Sequence, residues 1–100
     1  MVVPPRPNMR IVISYDISND KRRRRIARIM EGYGYRVQYS VFECDLDAGK
    51  LAELQKRLTP LVNTREWESV RIYPLTLDCA DRVIVIGKDL RKVLKGVEIV

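Results

Sequence analysis

The stretch that decides the fold is Arg10–Ile26, RIVISYDISNDKRRRRI. Its first seven residues are rich in β-branched side chains and read as a buried strand. The pattern breaks over Asp16-Ile17-Ser18-Asn19-Asp20, where Ser18 or Asn19 suits a helix N-cap and Asp20 complements the helix dipole. A helix is expected from about Lys21 to Gly32, with Ile26, Ile29 and Met30 as its apolar stripe and Gly32 and Gly34 ending it. A strand that runs into a cationic helix therefore sets one acidic residue, Asp16, at the strand's end.

Outward from this unit, Tyr35–Leu46 alternates polar and apolar residues. Its length predicts two short strands, or one strand bent near Ser40. Leu51, Leu54, Leu58 and Leu61 form the seam of a second helix over about Ala48–Leu61. Asn63–Glu68 is a loop holding the single tryptophan. Val70–Leu77 and Arg82–Gly87 read as further strands around a turn at Asp78–Asp81. In the tail, Leu90, Val93 and Leu94 have helical spacing, and Val97–Val100 is a strand-like end suited to pairing with another subunit. This order predicts an α+β fold, the ferredoxin-like βαββαβ sandwich with an antiparallel sheet, two helices on one face and an extra C-terminal strand. The expected domain spans residues 9–87, after a flexible extension at 1–8 and before a tail at 88–100.

Composition narrows the function. With 46% hydrophobic and 32% charged residues, the chain has the make-up of a globular domain. No apolar run approaches the roughly 18 residues of a membrane span. Met1–Asn8 carries three prolines and does not resemble a secretory signal, so a cytoplasmic location is expected. There is no histidine, which removes imidazole acid–base chemistry and the commonest transition-metal ligand. Cys44 and Cys79 are too few for a zinc site and are expected to be small buried side chains. Any metal would be held by oxygen, which favours Mg²⁺ or Mn²⁺.

The net charge of +6 lies wholly in residues 1–36, which hold nine Lys/Arg and three Asp/Glu, while residues 37–100 hold ten of each. A concentrated positive field attracts polyanions. The run Lys21–Arg25 cannot all face one way, because successive helical residues turn by about 100°. Arg22 and Arg23 should lean toward the Ile26–Met30 side, with Lys21, Arg24, Arg25 and Arg28 outward. Arginine's planar fork suits phosphate, and these six residues are the candidate nucleic-acid contacts. Tyr15, Tyr33, Tyr35, Tyr39 and Phe42 interleave with the cations and suit either base stacking or packing. Asp45 and Asp47 fit turn and helix N-terminal roles.

Asp16 admits two readings: a cap for the turn that follows, which spacing alone favours, or a ligand for a hard cation. One carboxylate makes a poor Mg²⁺ site. A two-fold dimer would supply a second Asp16 by symmetry.

Together, YDISNDKRRRRI (Tyr15–Ile26) and RVQYSVFE (Arg36–Glu43) resemble CRISPR-associated protein family two, the small subunit of the spacer-acquisition machinery. The resemblance implies a ferredoxin-like homodimer with Mg²⁺ or Mn²⁺ held by Asp16 from both subunits. It also matches Tyr15, Arg23, Arg25, Arg36 and Phe42 to positions tied to nuclease activity. The implied function is a metal-dependent endonuclease on single-stranded RNA or double-stranded DNA that acts in spacer acquisition. The alternative is a non-catalytic, DNA-binding dimer that bridges the CRISPR integrase. A small-ligand regulatory domain is a third class, but it needs a Gly-lined loop where this chain has Ser18-Asn19-Asp20 and five cations.

Overall fold

The computed structural model describes residues 8–89. The expected N-terminal extension, apart from Asn8, the helical spacing at Leu90, Val93 and Leu94, and the tail pairing at Val97–Val100 lie outside these residues. Strand β1 (Met9–Asp16) turns Ile11, Ile13 and Tyr15 into the core. Helix α1 (Asp20–Glu31) opens where Asn19 accepts a hydrogen bond from the Arg22 N–H at 2.9 Å, and it buries Ile26, Ala27 and Met30. That cap satisfies a backbone donor left free in the first helical turn.

The segment after α1 forms two strands, β2 (Gly34–Gln38) and β3 (Val41–Leu46), with the bend at Tyr39-Ser40. Gly34 begins β2 because its backbone lies almost against β3. An added Cβ would stand 2.2 Å from the Glu43 carbonyl oxygen and 2.6 Å from Cys44 Sγ. The pairing shifts register between Arg36 and Gln38.

Helix α2 (Ala48–Leu58) is capped by Asp47, which accepts from the Lys50 N–H at 2.8 Å. Leu54 and Leu58 are buried, with Leu51 and Leu61 packed at the margin of the core. The predicted helical seam ends in a 3-10 turn at Thr59–Leu61, which begins beside Pro60. A second 3-10 turn, Thr64–Glu66, ends at Trp67, whose φ of 58° is left-handed.

Strand β4 (Ser69–Leu75) pairs antiparallel with β1. The sheet order is β2-β3-β1-β4, and every pairing is antiparallel. This is the predicted split βαβ arrangement, with α1 and α2 on the face that carries Ile11, Ile13, Phe42 and Cys44. Among the described residues β4 is an edge strand, so Pro74 is tolerated there.

Three expectations are corrected. Arg82–Gly87 is not a strand, and Ile84 and Ile86 are 85% and 97% exposed. Its unbroken apolar pattern is that of a strand covered on both faces, but within the described residues it joins no ladder. Asp78–Asp81 is not a simple turn but the end of a short helix, α3 (Leu77–Asp81), capped by Thr76 Oγ at 3.2 Å from the Cys79 N–H. Cys79 is exposed, because α3 carries no buried residue, whereas Cys44 is buried as expected. Burial beside Glu43 and Asp45 pushes the Cys44 thiol up to about 11.

Candidate nucleic-acid interface and metal centre

Side chains alternate across a strand, so Val12, Ser14 and Asp16 face away from Ile11, Ile13 and Tyr15. Asp16 is the last residue of β1, is exposed, and stands opposite Ser69, the first residue of β4. Glu43 and Asp45 on β3 and Arg71 and Tyr73 on β4 share its face through the same registers. Arg10 bridges there to Glu43 at 3.2 Å and to Asp45 at 2.5 Å. Both α1 and α2 pack on the other side, which leaves this face half-open.

As a metal ligand, Asp16 has the right donor chemistry, an exposed carboxylate for a hard cation. Among the described residues no group of three or more His, Cys, Asp or Glu could hold an ion. Asp20, the nearest acid in sequence, is paired with Arg23. Within one chain, Asp16 therefore stands without a second carboxylate grouped beside it as a metal-binding cluster among the described residues.

The cations divide as their helical phase predicts: Arg22 and Arg23 are half-buried, while Lys21, Arg24, Arg25 and Arg28 are exposed. They do not form one patch. Tyr15, Arg23, Arg24, Arg28, Arg36 and Tyr39 line a cleft of about 370 Å³ between α1 and the β2–β3 hairpin. Lys21, Arg24, Arg25, Arg28 and Arg57 line a second of about 460 Å³, with Ile29 beneath them. Arg57, from α2, carries no signal in the sequence, because only the packing of the two helices brings it beside α1.

In the first cleft the Arg23 guanidinium lies 5.9 Å from the Tyr39 ring centroid and donates to the Ile17 carbonyl at 3.2 Å. Arg36 lies 5.3 Å from the Phe42 ring centroid, and its Nε is buried without a hydrogen-bond partner among the described residues. Phe42 is fully buried and Tyr15 is 5% exposed, with their ring centroids 6.3 Å apart. Tyr15 lines the cleft and Phe42 lies buried behind it, so neither ring is open to solvent. Of the residues matched by resemblance, the structure gathers Tyr15, Arg23, Arg36 and Phe42, sets Arg25 in the second cleft, and turns Asp16 to the opposite face.

Arg22 differs from its neighbours. Its guanidinium grips the Glu68 carboxylate through both terminal nitrogens, Nη2 at 2.9 Å, and donates to the Leu61 carbonyl at 3.0 Å. Glu68 is the one buried acid among the described residues. Its carboxyl is held well below the usual range, chiefly by Arg22 and despite burial, with Ser18 and the Asn63 N–H adding to the effect. No sequence pattern marks this residue, since its partners lie up to 50 positions away.

The family model for CRISPR associated protein Cas2 matches residues 9–83. A curated relative from Synechocystis sp., CRISPR-associated endoribonuclease Cas2 3, is 49% identical over 77 residues, covering 77% of this chain and 83% of that protein. The solved structure of Streptococcus pyogenes Cas2 superposes with a TM-score of 0.69 at 32% identity, covering 79% of this chain and all of that one. A chain in a structure described as a partial Cas6-RT-Cas1–Cas2 complex superposes at 0.66 with 28% identity, covering 78% and 90%. The family match spans nearly all of the described residues, and the α+β fold with its four-stranded antiparallel sheet agrees with the solved neighbours. The chain belongs to the CRISPR-associated Cas2 family.

Proposed function

We propose that the chain is a metal-dependent endonuclease that works as a homodimer in CRISPR spacer acquisition, hydrolysing phosphodiester bonds of single-stranded RNA or double-stranded DNA. The observation that carries this reading is the position of Asp16, exposed at the end of β1 on the half-open face of the sheet. Two copies meeting across that face would bring two Asp16 carboxylates to one axis, a donor set suited to Mg²⁺ or Mn²⁺. The bound ion would supply an activated water and neutralise phosphate charge. The protein's own part is to hold the strand with the arginines of α1 and to present the two carboxylates. Relatives named endoribonuclease or endonuclease support the activity.

The test compares wild type with Asp16→Asn on labelled single-stranded RNA and duplex DNA, with Mg²⁺ or Mn²⁺ and with chelator. Cleavage should require the metal and vanish in the variant, while fold and dimer persist. Undiminished cleavage by the purified variant would assign the activity elsewhere.

A second reading, a scaffold that clamps duplex DNA beneath the integrase, is favoured by the two basic clefts lying on the helix side of the sheet, away from the Asp16 face. The relative solved in a Cas1–Cas2 assembly accords with it. Under this reading, Asp16→Asn acquires spacers normally, and only neutralised α1 arginines fail.

A further inference from the structure

We propose that Glu68 is the positioning residue for Asp16, an inference that rests on reading Asp16 as a metal ligand. The Glu68 side chain is 1% exposed, and its two carboxylate oxygens take five donors. One oxygen accepts from the Ser18 N–H at 3.0 Å, the Ser18 hydroxyl at 2.7 Å and Arg22 Nη2 at 2.9 Å. The other accepts from Arg22 Nη1 and from the Asn63 N–H at 3.0 Å.

Those partners define the exit of β1. Ser18 lies two residues beyond Asp16, and Ser69, which follows Glu68, is the strand partner of Asp16. Glu68 therefore ties the chain leaving β1 to the chain entering β4, and α1 is locked to both through Arg22. A strand-end residue lacks the ladder on its far side, so its direction is set by the turn that follows. Here that turn is fixed by one buried carboxylate. The same carboxylate also holds the loop that ends in the left-handed Trp67, a conformation rare for a bulky residue. Such geometry persists only where its surroundings impose it.

A purely structural staple and a positioning residue differ in what they change. None of the five donors belongs to the hydrophobic core, so loss of the clamp loosens the β1 exit while leaving the core packed. The consequence falls on metal geometry, not on substrate contact. Partners bonded directly to a metal ligand change metal affinity or activity by about 10–100-fold when removed; Glu68 acts one step further back, so the lower end of that range is expected.

The experiment measures Mn²⁺ uptake by the protein without nucleic acid, by electron paramagnetic resonance, and kcat and KM for single-stranded RNA. Proteins compared are wild type, Glu68→Gln and Ser18→Ala, with circular dichroism as the check on folding. Glu68→Gln should weaken Mn²⁺ binding by about tenfold and lower kcat by a similar factor, with KM unchanged. Ser18→Ala leaves the Arg22–Glu68 pair in place and should shift the same quantities in the same direction by less. If Glu68→Gln does not fold, Ser18→Ala decides alone. Normal Mn²⁺ uptake and kcat in the folded variants overturn the positioning role and leave the reading of Asp16 intact. Wild type that takes up no Mn²⁺ overturns both.

Discussion

Tyr15 and Asp16 are neighbours in the chain and face opposite sides of the sheet, Tyr15 beneath α1 and Asp16 toward the half-open face. This follows from strand pleating. Its consequence is that the arginine clefts and the candidate metal ligand occupy different surfaces, joined only around the end of β1. The proposed roles of gripping nucleic acid and cutting it should therefore be separable by mutation.

The arginines of α1 should divide into two classes. Arg24 and Arg28 are exposed and line both clefts. Arg24→Gln with Arg28→Gln should weaken duplex binding and flatten the dependence of log affinity on log salt, by about 0.9 for each phosphate no longer neutralised. Arg22→Gln should leave that slope unchanged and instead lower the thermal midpoint, since Arg22 is engaged with Glu68. Anisotropy titrations at several salt concentrations read the first effect, and thermal melts read the second. A flattened slope for Arg22→Gln would contradict the assignment.

Phe42 should behave as a core residue. It is fully buried between the sheet and the helices and stacks on Tyr15. Phe42→Ala is expected to destabilise the fold by about 3–5 kcal/mol, as large-to-small core changes do. Any nuclease loss should track the unfolded fraction and recover when the variant is assayed under strongly stabilising conditions. Urea denaturation gives the stability, and activity measured against fraction folded decides. A fully folded Phe42→Ala protein without activity would point to direct involvement in catalysis.

Acid should loosen the Glu68 clamp. Its folded carboxyl is held well below the ordinary glutamate value of about 4.3. A depressed carboxyl adds stability that is fully present above the unfolded pKa and disappears as pH falls through the folded one. Below about pH 4.3 the wild-type thermal midpoint should therefore fall with pH more steeply than that of Glu68→Gln. The variant starts lower and has no such carboxyl to protonate. Melting curves of both proteins across this range test the claim, and parallel slopes would refute it.

Much of this was legible in the sequence because it depends on local periodicity. The strand–helix unit around Asp16, the split of Tyr35–Leu46 into two strands and the Leu54–Leu58 seam all follow from spacing. The division of α1 cations into half-buried Arg22 and Arg23 and exposed neighbours followed from helical phase alone. Glu68 and Arg57 were not legible, since each is defined by partners brought close only by tertiary packing. Arg82–Gly87 shows the converse failure. Its apolar pattern reads as a strand, yet the segment lies exposed, because a pattern does not say whether a partner for it belongs to the same chain.

A second copy would be the natural partner for this exposed run. Val83–Ile86 presents four successive apolar residues, with Ile84 and Ile86 almost fully exposed. Among the described residues, the sheet order leaves β4 with an open edge. An open strand edge is a template for pairing between chains, and an exposed apolar run favours such a contact. Ile84→Lys with Ile86→Lys should convert a dimer to a monomer in sedimentation equilibrium and leave the circular dichroism spectrum of the fold unchanged. With no second Asp16 to complete the metal site, that monomer should lose Mn²⁺-dependent cleavage even though Asp16, Glu68 and the α1 arginines are intact. A monomer that still cleaves would show that one Asp16 suffices. A variant that remains dimeric would place the subunit contact on the half-open sheet face alone, where Val12, Tyr73 and the Arg10 ion pairs lie.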